Sequence, residues 1–446
     1  MTPGRTAASG LLDAIGDVGR APSGGYERFA WTVHDLTLRE WFAAEAAARG
    51  LSVVIDRAGN QWAWWGDPDQ DGPGVVTGSH LDSVPGGGAF DGPLGVVGAF
   101  AAVDALRDAG VVPARPLGIV NFSDEEGARF GLACLGSRAV TGTVAADRLL
   151  ALRDGAGDSL ADVLGRAGPG SRGPVPGGAI PGGAVPDLAS YGRDPEALAR
   201  IGVFVELHVE QGRYLADLPA DQEAPVAVGA AIWPHGRWRV DLVGEANHAG
   251  TTPLAHRHDP MLDLARLITD VRSAAEQAGA LATLAKVQVE PNGVNAIPSR
   301  VRAWIDARAE TEQAVRSVVG APAVGGLGAW GVVEESWTPA TVFDPALAAR
   351  LADVVGRPGS GLPAPVIGTG AGHDAGILAA AGVPTAMLFV RNPTGISHSP
   401  EEFAEAADCD AGVRALTAVL KDLLTTRSLP PSSPPSSRPP QPSFET

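Results

Sequence analysis

Cysteine is nearly absent from this chain: only Cys134 and Cys409 occur among its 446 residues. With two thiols no disulfide framework is expected, which favours a reducing compartment. Neither cysteine sits in a recognisable nucleophile motif. Long apolar runs are also missing. No stretch reaches the roughly 18 uninterrupted apolar residues that a membrane-spanning helix needs. The start, Met1-Thr2-Pro3-Gly4-Arg5, lacks the apolar core of a signal peptide, so the expected location is the cytoplasm. Positive charge is short as well. Lys and Arg number 34 against 51 Asp and Glu, a net charge of −17 with no acidic tail, which argues against nucleic acid and against anionic membrane surfaces.

What the chain has is length. At 446 residues it is too long for one ordinary core, and its 45% of hydrophobic residues can fill two domains. Asp35 reads as the N-cap of a helix through Arg49, closed by Gly50. Strands Leu51–Asp56 and Gln61–Gly66 follow, joined by a turn at Gly59-Asn60. Strand Gly74–Thr77, helix Leu94–Ala109 and strand Leu117–Phe122 give a β-α-β order and a mostly parallel sheet. From about 155 to 193 the texture turns to Gly and Pro, and this stretch reads as a flexible surface insertion. Order returns with strand Ile201–His208. Residues 224–335 read as a second, inserted domain. Its strands are Arg237–Val243, Leu281–Val289 and Arg300–Ala309, and its helices Pro260–Ala278 and Thr311–Val319. They suit an antiparallel sheet with two helices on one face, an α+β arrangement. The first domain (1–223) resumes over 336–425, with a helix from Asp344, strand Pro384–Val390 and a last helix Pro400–Thr425. The Pro/Ser-rich residues 426–446 are expected to be disordered. The fold class is α/β with an α+β insertion.

The chemistry gathers where strands end. A glycine-rich stretch, Gly78-Ser79-His80-Leu81-Asp82-Ser83 through Gly87-Gly88-Ala89-Phe90-Asp91-Gly92, presents a nitrogen and an oxygen ligand on short tethers. Ligand sites of open α/β sheets gather at those carboxyl ends. Asp82 is placed to accept the second ring N–H of His80 and fix its tautomer. At the end of the next strand come Glu125 and Glu126, neighbours that point to opposite sides. One can ligate a metal while the other faces substrate. His208 and His398 also stand at strand ends. Three histidines, an aspartate and a glutamate in such positions are hard to explain together as core residues.

These pieces, with Glu206-Leu207-His208-Val209-Glu210-Gln211-Gly212, His248-Ala249-Gly250-Thr251-Thr252-Pro253, Gly370-Ala371-Gly372-His373-Asp374-Ala375 and Gly395-Ile396-Ser397-His398-Ser399-Pro400, resemble the hydantoinase/carbamoylase family. That family contains N-carbamoyl-L-amino-acid hydrolases, ureidopropionases and allantoate amidohydrolases, within the aminoacylase-like and carboxypeptidase-like two-metal hydrolases. The resemblance implies a metallopeptidase-like catalytic domain with a ferredoxin-like lid or dimerisation domain, and a homodimer. It implies two divalent ions per subunit, zinc, manganese or cobalt. One is held by His80, Asp91 and His208, the other by Asp91, Glu126 and His398. It assigns Glu125 as general base toward a water made acidic by the ions. It gives oxyanion stabilisation to His248 and substrate contacts to Asn295 and Arg308, an arginine fork being suited to a carboxylate; Gln211 is a further candidate contact beside the metals. The implied substrate is a small ureido acid: allantoate first, an N-carbamoyl-L-amino acid second, with N-acyl amino acids and dipeptides as alternatives. A non-catalytic ureide-binding protein has no need of Glu125. Arg391, just before the His398 motif, is where a second anionic group of the substrate would be sought, against a plain surface arginine.

Overall fold

The structure is a computed structural model that describes residues 7–167, 185–324 and 331–426. Most of the Gly/Pro-rich run and the Pro/Ser-rich tail lie outside the described residues. The chain divides into two compact units. One holds the residues up to Ala230, Val342–Ile367 and those from Gly372; the other holds Ala231–Thr341 and Gly368–Ala371.

The first unit is built on a sheet of nine strands among the described residues. Its order is Ser52–Ile55, Gln61–Trp65, Leu117–Phe122, Gly74–His80, Ile201–Val209, Thr385–Val390, Val226–Ile232 and Thr341–Val342, with Val366–Thr369 pairing to Val226–Ile232. The middle of the sheet, from Leu117–Phe122 to Thr385–Val390, is parallel. Its flanks are antiparallel. Gly74–His80 is buried along its whole length, as a parallel strand covered on both faces must be, and that is why Val75-Val76 runs apolar without alternation. Helix Pro93–Asp108 packs across this centre, apolar nearly all round. It approaches so closely that a Cβ on Gly95 would lie 2.4 Å from the Leu207 carbonyl oxygen and 2.6 Å from the Ser79 Cβ. A glycine is required there by contact rather than by conformation. Helix Ala406–Thr425 packs beside it, with Leu416, Val419, Leu420 and Leu423 in the same core.

Four expectations need correction. Asp35 is not the N-cap of its helix, which spans Val33–Ala48 behind Thr32. It sits in the first turn, buried, and accepts the Trp31 N–H at 2.8 Å, reaching back over the helix start as a capping-box acid does. The segment 155–193 is not all surface insertion. Leu160–Ala167 is a helix, and Leu160, Val163, Leu164, Val185 and Tyr191 pack with Phe130, Leu135 and Leu149 in a second cluster. The spacing Leu160, Val163, Leu164 is that of a helix face, which the glycine-rich composition on either side obscured. The last helix starts at Ala406 rather than Pro400, and Glu402 before it is engaged by Phe90, Asp91 and Ser397 instead. Finally, Gly331–Thr338 is a strand. It pairs with His235–Val243, so the smaller sheet extends past residue 335.

The second unit carries a four-stranded antiparallel sheet in the order Gly331–Thr338, His235–Val243, Arg300–Arg308, Leu281–Glu290. Arg300–Arg308 alternates buried and half-buried residues. Val301, Ala303, Ile305 and Ala307 therefore face a core shared with helices Pro260–Ala278 and Glu312–Val324.

Candidate metal centre

Parallel strands bring their carboxyl ends to one edge, and two of them end in the histidines His80 and His208. Asp91 joins them from the loop that enters helix Pro93–Asp108. The next residue, Gly92, has φ +83°, and a Cβ there would stand 2.4 Å from the His80 ring. The imidazole lies directly on this backbone, so only glycine fits. Glu125 and Glu126 follow strand Leu117–Phe122, and His398 follows strand Thr385–Val390 with φ 56°.

Together these residues form two groups of possible metal ligands, His80–Asp91–His208 and Asp91–Glu126–His398, each with ligand atoms mutually within 4.8 Å. Asp91 is common to both, and its two oxygens divide between them. Oδ1 lies 3.1 Å from His208 Nε2 and 3.6 Å from His80 Nε2, while Oδ2 lies 3.4 Å from His398 Nε2. Glu126 Oε2 is 3.5 Å from the same His398 nitrogen. Glu125 stands beside the set, its Oε2 3.8 Å from His80 Nε2.

The ring nitrogens show what the group is shaped for. His80 Nδ1 faces the Asp82 carbonyl at 3.2 Å and His208 Nδ1 the Val209 carbonyl at 2.8 Å. Carbonyls only accept, so Nδ1 carries the proton in each ring and Nε2 presents a lone pair. Both Nε2 atoms are buried without a hydrogen-bond partner, and both point at the Asp91 carboxylate. Lone pairs aimed at a buried anion are unfavourable unless a cation sits between them. The donor set of imidazole and carboxylate suits zinc, manganese or cobalt alike. Protons respond to the same field. Burial lowers the His208 pKa, but Asp91 more than offsets it and lifts it to about 9. Burial acts on Asp91 in the opposite sense, and the three histidines hold it well below the usual carboxylate range. Burial and then the Asp91 charge push Glu126 up to about 7. Burial lifts Glu125 well above its ordinary value, against the pull of His80.

Asp82 does more than expected. His80 Nδ1 meets both the Asp82 main-chain oxygen at 3.2 Å and its carboxylate at 3.5 Å, and the carboxylate helps to raise the ring's pKa against burial. The two carboxylate oxygens also accept the N–H groups of Glu125 and Glu126 at 3.1 and 3.0 Å. One aspartate thus clamps the turn that carries both glutamates. Gln211 donates to Asp91 Oδ2 at 2.8 Å, beside His398.

Glu402 was overlooked in the sequence. Its Oε1 accepts the N–H groups of Phe90 and Asp91 at 2.9 and 3.0 Å, and Oε2 accepts Ser397 Oγ at 3.0 Å, so it holds the Asp91 loop and the His398 loop together. The signal was its closeness to the His398 motif, hidden by reading helix from Pro400. His373 and Asp374, quoted in a motif without a role, are also here. The His373 ring meets His208 edge-on at 4.5 Å, and burial keeps it neutral. Glu206, His208 and His373 form a third grouping at ligand spacing. Glu206 is already satisfied there by Ser79 Oγ at 2.7 Å and the Ala375 N–H at 3.2 Å.

His248, Asn295 and Arg308 belong to the second unit, and the candidate ligand set to the first. His248 pairs with Ala296 in a two-stranded ribbon, and the Ala249 N–H donates to the Asn295 carbonyl. His248 Nδ1 accepts the Gly250 N–H at 3.0 Å, so the neutral ring carries its proton on Nε2 and offers it outward. Arg308 directs its fork at Asp306, at 2.8 and 3.3 Å, and at the Gly370 carbonyl at 2.8 Å. Arg391 is no free cation for a substrate. Asp408 takes it in a fork at 2.8 and 3.0 Å, and Glu223 takes its remaining nitrogen at 2.5 Å.

With this geometry in view, comparison with known proteins is informative. The model of peptidase family M20/M25/M40 matches residues 76–422. The chain belongs to this family. An N-carbamoyl-L-amino acid amidohydrolase of Geobacillus stearothermophilus is 34% identical over 91% of this chain and 95% of its own. An allantoate amidohydrolase of Escherichia coli (strain K12) is 30% identical over 95% and 99%. The crystal structure of a hydantoinase/carbamoylase family amidase from Burkholderia multivorans superposes with a TM-score of 0.77, at 28% identity, over 94% of this chain and 97% of that one. The family is one of metal-dependent hydrolases, and the chain is a hydrolase of carbon–nitrogen bonds.

Proposed function

We propose that this chain hydrolyses the linear carbon–nitrogen bond of an N-carbamoyl or ureido acid, with two divalent ions held at Asp91. The observation that carries the reading is the pair of ligand triads that share Asp91, with the unengaged Nε2 atoms of His80 and His208 turned toward it. Ions held there would acidify a water and polarise the scissile carbonyl. Glu125 takes the proton from that water and passes it to the leaving nitrogen, a task that a raised carboxyl pKa suits. His248 offers Nε2–H to the developing oxyanion, and Gln211, Asn295 and Arg308 hold the substrate's polar ends. For Arg308 this means sharing its fork between Asp306 and a substrate carboxylate. We extend the proposal to a homodimer through the second unit and to a cytoplasmic setting.

Allantoate heads the candidate substrates and an N-carbamoyl-L-amino acid comes second; both are named among the relatives. The test is ammonia release from a panel of ureido acids, with N-acyl amino acids and dipeptides alongside. It is run on chelated protein and on protein reloaded with Zn²⁺, Mn²⁺ or Co²⁺. Activity only after reloading, and only with ureido substrates, is the expected result. Dipeptide cleavage without ammonia from any ureido acid overturns it.

A further inference from the structure

The proposed base has a neighbour that the reaction scheme leaves out. Cys134 Sγ lies 3.3 Å from Glu125 Oε1 in hydrogen-bonding geometry, with both side chains buried. Among the described residues the thiol is the one hydrogen-bond donor that reaches the Glu125 carboxylate. The other oxygen, Oε2, is the one that faces His80.

The backbone around the thiol is held at several points. The Cys134 N–H donates to the Glu125 carbonyl at 2.5 Å, the Leu135 N–H to that of Asp124 at 3.0 Å, and the Gly136 N–H to that of Ser123 at 2.8 Å. Cys134 adopts φ 56°, ψ 39° just ahead of helix Leu135–Thr141. Its carbonyl accepts Ser137 Oγ at 3.2 Å, and Ser137 Oγ also lies 2.5 Å from Asp374 Oδ1. A left-handed conformation is uncommon for a residue with a Cβ. Here it turns the side chain back over the glutamate. With the main chain tied on both sides, only χ1 and the S–H rotor remain to bring the thiol to Oε1.

We infer that Cys134 is a positioning residue for Glu125: its S–H holds Oε1, which fixes the carboxylate rotamer and leaves Oε2 to exchange protons with water and substrate. The inference rests on the role proposed for Glu125. The cysteine is then neither a nucleophile nor a metal ligand. Its contribution is a donor that removes a rotational choice from the base.

The first readout needs no substrate. The S–H stretching band of Cys134, assigned by its loss in Cys134→Ser, should lie at lower wavenumber than that of the Cys409 thiol, and should move up in Glu125→Ala. The second is kinetic, with allantoate or an N-carbamoyl-L-amino acid, whichever the panel shows to be turned over. Cys134→Ala should lower kcat roughly threefold to tenfold at unchanged KM and metal content, the net contribution of one hydrogen bond. Cys134→Ser keeps a donor and should recover most of that loss. In a Glu125→Gln background, Cys134→Ala should have no further effect, because the pair acts as one unit. An S–H band unmoved by Glu125→Ala overturns the inference. So does an equal loss in the Ala and Ser variants, or the same loss in the Glu125→Gln background. Full activity of Glu125→Gln by itself would instead sink the role of Glu125, which separates the two failures.

Discussion

Glu125 and Glu126 are neighbours in sequence with unlike surroundings, and the difference between them decides their chemistry. Glu126 faces His398 at 3.5 Å and belongs to a triad that could hold a metal ion. Glu125 faces a thiol on one side and His80 on the other, with burial raising its pKa. Glu125→Gln keeps the shape but cannot accept a proton. Its kcat should fall by roughly 10²-fold to 10⁴-fold, with metal content unchanged. Metal loss in this variant, with both ions retained in Glu126→Gln, would show the two roles to be reversed. Asp91 is the other decisive residue, since each of its oxygens serves a different triad. Asp91→Ala should lose both ions together on titration with a chelator, whereas His398→Ala should lose one first.

At the scale of elements, the site depends on where loops are tied. The Asp91 loop and the His398 loop come from distant parts of the chain, and Glu402 joins them by accepting from Phe90, Asp91 and Ser397. Removing such an outer partner of a ligand typically costs about 10-fold to 100-fold in metal affinity. Glu402→Ala should show that loss in a competition with a chromogenic chelator, while circular dichroism stays that of the parent. Helix Pro93–Asp108 offers a second element-scale test. A methyl at Gly95 meets main chain, which cannot move aside as a side-chain tip does. Gly95→Ala should therefore destabilise the first unit by about 1–3 kcal/mol, the usual cost of overpacking, read as a lower urea midpoint at an unchanged slope.

For the whole molecule, the proposal asks two units to serve one reaction. The proposed substrate contacts His248, Asn295 and Arg308 belong to a unit that supplies none of the ligand candidates. Arg308→Lys keeps the charge and loses the planar fork. A charge-assisted hydrogen bond contributes about 1.5–3 kcal/mol, so kcat/KM should drop roughly tenfold to a hundredfold with metal content intact. Mixing His248→Ala chains with Glu125→Gln chains addresses the proposed dimer. If His248 acts across subunits, a mixed pair regains one site with both residues present, and activity reappears. Two inactive variants that stay inactive after verified subunit exchange confine His248 to its own chain or remove it from the reaction.

The amino-acid sequence by itself determined the strands and helices around the site and the imidazole and carboxylate residues at their ends. The signals are local: Val75-Val76 before His80, the apolar helix after Asp91, the acidic pair after strand Leu117–Phe122. Periodicity and turn chemistry are written in adjacent residues, so they can be read without a structure. Local signals also misled where composition masked a pattern, as in the helix Leu160–Ala167 beside the glycine-rich run. Only the tertiary structure decided which polar groups meet. Asp82 proved to be a clamp on two backbone N–H groups as well as a partner of His80. Glu402 reached Asp91 across 311 residues. Arg391 was taken by Asp408 and Glu223, and Cys134 came to rest against Glu125. The reason is physical: a hydrogen bond or ion pair is set by a few ångströms of space between groups that sequence spacing leaves unrelated, and a buried polar atom pairs with whatever the fold brings within reach.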